Sequence, residues 1–329
     1  MANHMTTQVE DASGLSFKIV DEDSVQRFIK SAAYNELIDF ITQLNNSVVA
    51  VEMHPLEHFY AAGDRGEGVA TPSDKVENVL IISRNVQNVL TLIKSMNKYI
   101  ELCPPIKQPT RFGNKGFQHF CDEYYKEVDN KLPHILSESG LDNVSEHTLQ
   151  LGHYLKNSIG NRKRIDYGTG HELNFLLFLF CLNKLHFFGP PDYKHLVLVL
   201  YRQYLECVRR IQITYTVEPA GSRGAWGLDD FQFLVFLFGA AQLSYNTHIK
   251  TDDVRRGGGM YSATWETLFP WCELLFVSLY VPTSQLARVV AARVCTEKIC
   301  SGLLKMYQAE IIQKRQILQH ILFGKLIDF

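Results

Sequence analysis

The chain has 329 residues, 46% of them hydrophobic and 21% charged, ample for a packed core and wrong for a disordered chain. Lys and Arg number 33 against 35 Asp and Glu, a formal net charge of −2 that supplies no bulk attraction to nucleic acid or an anionic membrane. Seven cysteines, odd in number, without a CxxC pair and mostly inside apolar runs, read as reduced thiols in a cytoplasmic or nuclear protein.

Taken in order, residues 1–15 carry no apolar leader core and read as a mobile N-terminus or a remnant of cloning. The dominant period thereafter is helical. Apolar residues three and four apart mark residues 24–44. A long run from 73 follows, with Pro72-Ser73-Asp74 as its start signal, and it stops at Cys103-Pro104-Pro105. Further helical patterns cover 115–132, 145–159, 193–216, 228–245 and 293–322. Residues 211–217 alternate and suit either a strand or a helix end. The fold class this predicts is all-α, with roughly a dozen helices. Residues 61–71 and 252–259 read as mobile connections. The most apolar stretch, 173–188, is interrupted by Asn174, Asn183 and Lys184 and is too short for a membrane span.

Three loops differ in composition. Residues 107–115 are basic, with Pro109 and Gly113. Residues 160–172 combine Arg162, Lys163 and Arg164 with Gly168 and Gly170 just before an apolar helix. Forked guanidinium donors and close-approaching backbone N–H groups would suit a phosphate or an acidic partner; the plainer reading of the same residues is a capped, solvated helix start. Neither a Walker loop nor GxGxxG is present. His171-Glu172 in the first turn reads as a structural pair. Residues 218–230 bring together three acids and several glycines. There Asp229, Asp230 and the Gly224 carbonyl could share a Mg²⁺ with a bound phosphate, or the two aspartates could simply favour a helix start.

Other patterns carry less. His54 and His58 lack the glutamate of a zinc-protease helix, and GxSxG is absent. Gly66-Glu67-Gly68 is a flexible loop. Cys295, Cys300 and the run Phe231, Phe233, Phe236 and Phe238 read as core.

In their order, Arg111-Phe112-Gly113-Asn114-Lys115, residues 164–172, Glu218-Pro219-Ala220-Gly221-Ser222 and residues 226–234 resemble the phosphotyrosyl phosphatase activator family. Residues 305–310, Gln319-His320 and Phe323-Gly324 share that resemblance, which is strongest over 105–243 and 302–326. It implies a single all-α domain over 16–329 with core, linker and lid subdomains. It also implies an activator of the protein phosphatase 2A catalytic subunit that uses Mg-ATP to help load that enzyme's metals. A peptidyl-prolyl isomerase activity on a proline-containing segment belongs to the same implication, with a free-standing isomerase or a non-activating scaffold as alternatives. Carried over by motif, Arg164, Thr169 and Gly170 would line the nucleotide phosphates, Gly224 and Asp230 would hold Mg²⁺, and Ile317, Leu318 and Ile321 would flank the adenine. Asp166, Glu172, Gly221, Trp226 and Asp229 are the candidates for a partner or peptide pocket. No catalytic residue for isomerisation is assigned. Val235 stands where the family usually has proline, and residues 255–292 diverge from it.

Overall fold

The computed structural model describes residues 15–51, 59–61, 80–220, 231–242, 244–245 and 296–329. Among them the protein is predominantly helical. The first helical stretch is two helices rather than one, α1 (Glu22–Ile29) and α2 (Ala32–Ser47). Ser31 turns extended between them, and its hydroxyl accepts the Tyr34 N–H at 3.1 Å, capping α2. At the start of α1, Asp21 accepts the Ser24 N–H at 2.8 Å while the Ser24 hydroxyl returns to the Asp21 N–H at 3.0 Å. This is a reciprocal capping box.

Of the helix expected from residue 73, residues 73–79 lie outside the described residues, and the described helix begins at Arg84. Leu80–Ile82 is a short strand (β2) paired in parallel with β1 (Phe59–Ala61), Tyr60 facing Ile81. Helix α3 (Arg84–Leu102) then starts at Ser83, whose hydroxyl caps Val86 N–H. Helix α4 (Gly116–Glu138) runs past the expected end at 132, through Pro133. Helix α5 (Val144–Asn157) packs on α4 and on α6 (Thr169–Lys184).

Every residue of α6 from Glu172 to Leu182 is buried, as expected of a helix apolar on all sides. It is the centre of an aromatic core in which Phe175 lies flat on Tyr204, ring centroids 3.8 Å apart. Residues 193–216 form one rod: α7 (Tyr193–His195), a π-helical stretch (Leu196–Tyr201) and α8 (Arg202–Tyr215). Residues 211–217 are therefore a helix end, closed by Thr216 in the left-handed conformation at φ 48°. Strand β3 (Asp166–Tyr167) precedes α6 and pairs in parallel with β4 (Glu218–Pro219). Helices α9 (Leu234–Gln242) and α10 (Thr296–Tyr307) pack together. A second π-helical stretch (Gln308–Ile312) and the short α11 (Arg315–Leu318) follow, where one continuous helical pattern to 322 was expected.

The two ends of the described chain are knitted together. Ser16 and Phe323 exchange backbone hydrogen bonds of 2.9 and 2.8 Å. Lys18 pairs with Asp328, Arg315 donates to the Val20 carbonyl at 2.6 Å, and the rings of Phe28, Phe323 and Phe329 pack edge to face. Among the described residues no helix is long and apolar enough to cross a membrane, and Cys103, Cys121, Cys181, Cys207 and Cys300 are free thiols. His54, His58, residues 66–68 and 252–259, Cys272 and Cys295 lie outside the described residues.

Candidate functional site

The second polar loop is rigid. Gly160 sits at φ 116°, where a Cβ would come within 2.9 Å of the Asp166 carbonyl oxygen, so only glycine lets the loop fold back this tightly. Asn161 Oδ1 accepts the N–H groups of Lys163 and Arg164 at 3.0 and 2.9 Å. Ile165 is held at φ 58°, a left-handed conformation that costs a β-branched residue about 1–3 kcal/mol. Two backbone bonds keep it there: its N–H to Asn161 O at 2.7 Å, and Glu218 N–H to its own carbonyl at 3.2 Å.

The result is a fixed cluster of polar groups at the start of α6. Arg164, about half exposed, grips Asp166 with Nε at 2.6 Å and Nη2 at 3.3 Å. His171 Nδ1 lies 2.6 Å from the Asn157 carbonyl oxygen, which can only accept, so Nδ1 carries a proton. Its Nε2 faces Asp166 Oδ1 at 3.8 Å, and its ring lies on Tyr167. Burial pushes the Asp166 carboxyl up, but His171 and Arg164 outweigh it and hold the group below the usual carboxylate range. His320 joins the cluster from the C-terminal segment. Although the side chain is exposed, partial desolvation, then Arg164 and His171, push the imidazole down against the pull of Asp166.

The helix start completes the arrangement. The N–H groups of Thr169 and Gly170, the first two residues of α6, have no intrahelical carbonyl to bond, and the helix dipole adds partial positive charge there. Gly168 fits because a Cβ would press on Ala220 at 3.1 Å, where Ala220 N–H bonds the Tyr167 carbonyl at 2.7 Å. At Gly170 a Cβ would reach 3.4 Å from Ile317 Cγ2, so α11 borders the same spot.

The structure thus brings Arg164, Thr169, Gly170, Asp166 and Ile317 together. Leu318 and Ile321, expected to flank the adenine with Ile317, are instead 1% exposed and packed in the core, because their side of the segment faces inward. Glu172, a pocket candidate, is fully buried. It accepts the Tyr201 hydroxyl at 2.6 Å, Phe233 N–H at 2.8 Å and Leu234 N–H at 3.1 Å. Its carboxylate therefore caps α9, and a peptide does not reach it in this conformation. Gly221, Gly224, Trp226, Asp229 and Asp230 lie outside the described residues. The flanks of that segment converge on the second loop: Ala220 bonds Tyr167, and the Phe231 ring lies 6.3 Å from the Tyr167 ring. Among the described residues, no three His, Cys, Asp or Glu side chains are grouped to hold a metal.

Beneath the cluster lies a buried phenolic layer. Tyr204 donates to the Ser158 carbonyl at 2.7 Å and receives the Tyr167 hydroxyl at 2.7 Å. Burial raises Tyr167, Tyr201 and Tyr204 far above the usual phenol range, so they stay protonated and donate. Sequence reasoning missed this layer and His320; the Tyr167 and Tyr204 positions were visible only as aromatic members of helical and loop runs.

A family model described as phosphotyrosyl phosphate activator (PTPA) protein matches residues 15–329. The Schizosaccharomyces pombe serine/threonine-protein phosphatase 2A activator 2 is 35% identical over 321 residues, 94% of this chain and 82% of that protein. The Dictyostelium discoideum probable serine/threonine-protein phosphatase 2A activator 2 is 31% identical over 95% of this chain, which spans 64% of that relative's length. The crystal structure of the PP2A phosphatase activator Ypa1 PTPA1 superposes with a TM-score of 0.70 at 25% identity, covering 95% of each chain. The chain belongs to the phosphotyrosyl phosphatase activator family, the activators of serine/threonine-protein phosphatase 2A.

Proposed function

We propose that the chain binds the catalytic subunit of protein phosphatase 2A together with Mg-ATP and helps it reach its metal-loaded, active state. The observation that supports this reading is the convergence of Arg164, the open N–H groups of α6 and the Ile317 side chain on one surface spot. An anion is favoured there by donors and dipole together. Arg164 would keep three guanidinium N–H groups for a phosphate while two stay on Asp166, which fixes its direction. Thr169 and Gly170 would present backbone N–H groups, and Ile317 an apolar wall for a base. Gly224 and Asp230 offer the carbonyl and carboxylate oxygens that a hard cation takes. The bound Mg-nucleotide would supply a chelated divalent ion within reach of the partner's metal site.

On the same reading, a proline-containing segment of the partner is the isomerase substrate, and the protein works in the cytoplasm. A pocket that binds the twisted amide would lower the barrier of about 18–20 kcal/mol without a titrating group.

The test is a pull-down of the phosphatase catalytic subunit with and without Mg-ATP, followed by its phosphatase activity. Nucleotide-strengthened binding and gained activity are expected, and Asp230→Ala should lose both nucleotide effects while keeping the helical circular dichroism. Binding without activation would refute the activator reading and leave a scaffold; proline isomerisation without any binding would leave an isolated isomerase.

A further inference from the structure

The first polar loop, residues 107–115, together with residues 104–106 before it, takes no part in the cluster above, yet it is built with as much care. The Asn114 side chain bonds both the N–H and the carbonyl of Ile106, at 3.0 and 2.9 Å. Gln108 accepts Lys115 N–H at 3.0 Å and donates to Thr110 Oγ1 at 2.6 Å. Gly113 and Asn114 donate their N–H groups to the carbonyls of Thr216 and Tyr215, at 2.9 and 2.8 Å, and Tyr215 Oη reaches the Cys103 carbonyl at 2.8 Å. The loop is therefore a fixed platform across the C-terminal ends of α3 and α8.

What the platform carries is unusual. Leu102 and Ile213 on the two helix ends, and Ile106 and Phe112 on the loop that leaves α3 and bonds the end of α8, are 62%, 80%, 42% and 52% exposed. They are four of the nine exposed large hydrophobic residues among those described. Single exposed apolar residues need no explanation, but a group on one rigid support marks a contact surface.

The charge around it is mainly positive, with Glu218 the exposed carboxylate beside the loops. Lys107, Arg111 and Lys115 are exposed on the loop, and Lys163 is exposed on the second loop. The two loops abut, since a Cβ on Gly113 would lie 3.8 Å from the Ile165 side chain. Neighbouring cations are neutralised: Arg162 grips Asp122 at 2.6 and 2.8 Å, and Arg210 meets Glu101 at 3.1 Å. No ion pair to Lys107, Arg111, Lys115 or Lys163 is formed among the described residues. The Arg111 guanidinium lies 5.2 Å from the Phe112 ring centre, which keeps a cation and an aromatic face side by side.

We propose that this platform is a docking surface for a short acidic peptide segment bearing large apolar side chains, such as an exposed tail of a partner protein. The unpaired cations select carboxylates, and the apolar group anchors the segment. Single-stranded nucleic acid fits less well, because three of the four apolar side chains are aliphatic and offer no ring for a base to stack on.

The proposal is tested on the full chain by fluorescence anisotropy, without nucleotide or phosphatase, so that its failure and that of the activator reading are separate. The probes are a labelled peptide alternating glutamate with leucine and phenylalanine, the same peptide with glycine for its apolar residues, its lysine-for-glutamate counterpart, and an oligouridine RNA. The acidic apolar peptide is expected to bind, the glycine version at least tenfold more weakly, and the lysine version not at all. The double variant Lys107→Glu/Arg111→Glu and the single variant Phe112→Ser should each weaken the first peptide at least tenfold with unchanged thermal melting. Ile213→Ser, on a helix surface outside the loop bonds, should do the same. Wild-type affinity in all three variants would overturn the proposal. So would oligouridine binding tighter than the acidic peptide, lost in the same variants.

Discussion

Replacing Glu172 with glutamine asks whether its buried carboxylate is a cap or a binding group. The substitution keeps the shape and removes the charge. Tyr201 Oη, Phe233 N–H and Leu234 N–H are all donors aimed at this carboxylate, and a glutamine keeps one accepting oxygen and turns a donor on the rest. At least one buried donor then loses its acceptor, at about 1–3 kcal/mol, and each surviving bond falls from charge-assisted to neutral strength. Loss of negative charge at the start of α9 adds about 1 kcal/mol. Relief of the desolvation of a buried charge acts in the opposite direction and offsets part of this. The net expectation is a loss of about 2–4 kcal/mol. Alanine, which leaves all these donors unmatched and a void besides, should cost more, about 3–5 kcal/mol. Urea unfolding followed by circular dichroism at pH 7 measures both. A Glu172→Gln protein within 0.5 kcal/mol of the parent, to an order of magnitude the noise of such a comparison, would refute the capping argument. If that same protein failed to bind phosphatase, Glu172 would return to the pocket.

Gly160→Ala should cost about 2 kcal/mol or more, because the Cβ meets the Asp166 carbonyl oxygen at 2.9 Å and alanine is strained at φ 116°; a melting temperature equal to the parent's would contradict the loop geometry. Burial, with Lys156 beside it, pushes His153 down to about 4. The unfolded chain, with an ordinary imidazole near 6.5, then takes up the extra proton first as pH falls, so this group's contribution is complete above about pH 6.5 and is lost toward pH 4. Between pH 7 and 5 the loss is about 2 kcal/mol, and His153→Gln should flatten the urea midpoint over that range. An equal slope in both proteins would place the titration elsewhere. Arg164→Ala should weaken adenosine triphosphate binding at least tenfold more than adenosine binding in calorimetry; equal losses for the two ligands would exclude a phosphate contact.

Helical periodicity was legible wherever a helix shows one face to water, as in α3 and α8, since burial on one side imposes the 3.6-residue repeat. Helix starts were less legible. Leu80 continues the apolar spacing of α3 and reads as part of a helix from residue 73, yet residues 80–82 pair with residues 59–61, and Ser83 caps α3. The break at Ser31 was hidden because neither proline nor glycine marks it; a hydroxyl does the work. At the candidate site, Arg164, Thr169 and Gly170 lie in one loop and their chemistry was open to inspection. His320 was not, because it reaches the cluster from more than 140 residues away in sequence, where the gap to Glu172 alone is 148 positions. The partners of Glu172 were hidden for the same reason: the amides it caps are 61 and 62 residues downstream, and nothing local names them.

The clasp between the chain ends has a bearing on how the protein is made. Ser16 pairs with Phe323, and Val20 with Arg315, so these contacts span nearly the whole polypeptide. During synthesis, α1 and α2 emerge early and wait, with Phe28 lacking the rings of Phe323 and Phe329. The segment that carries Ile317 and His320 to the second loop leaves the ribosome well after that loop itself. A nascent chain can therefore build most of its helices without yet owning the site. Closure of so long a loop comes late and slowly, and until then Phe28 lacks the aromatic partners it has in the folded protein.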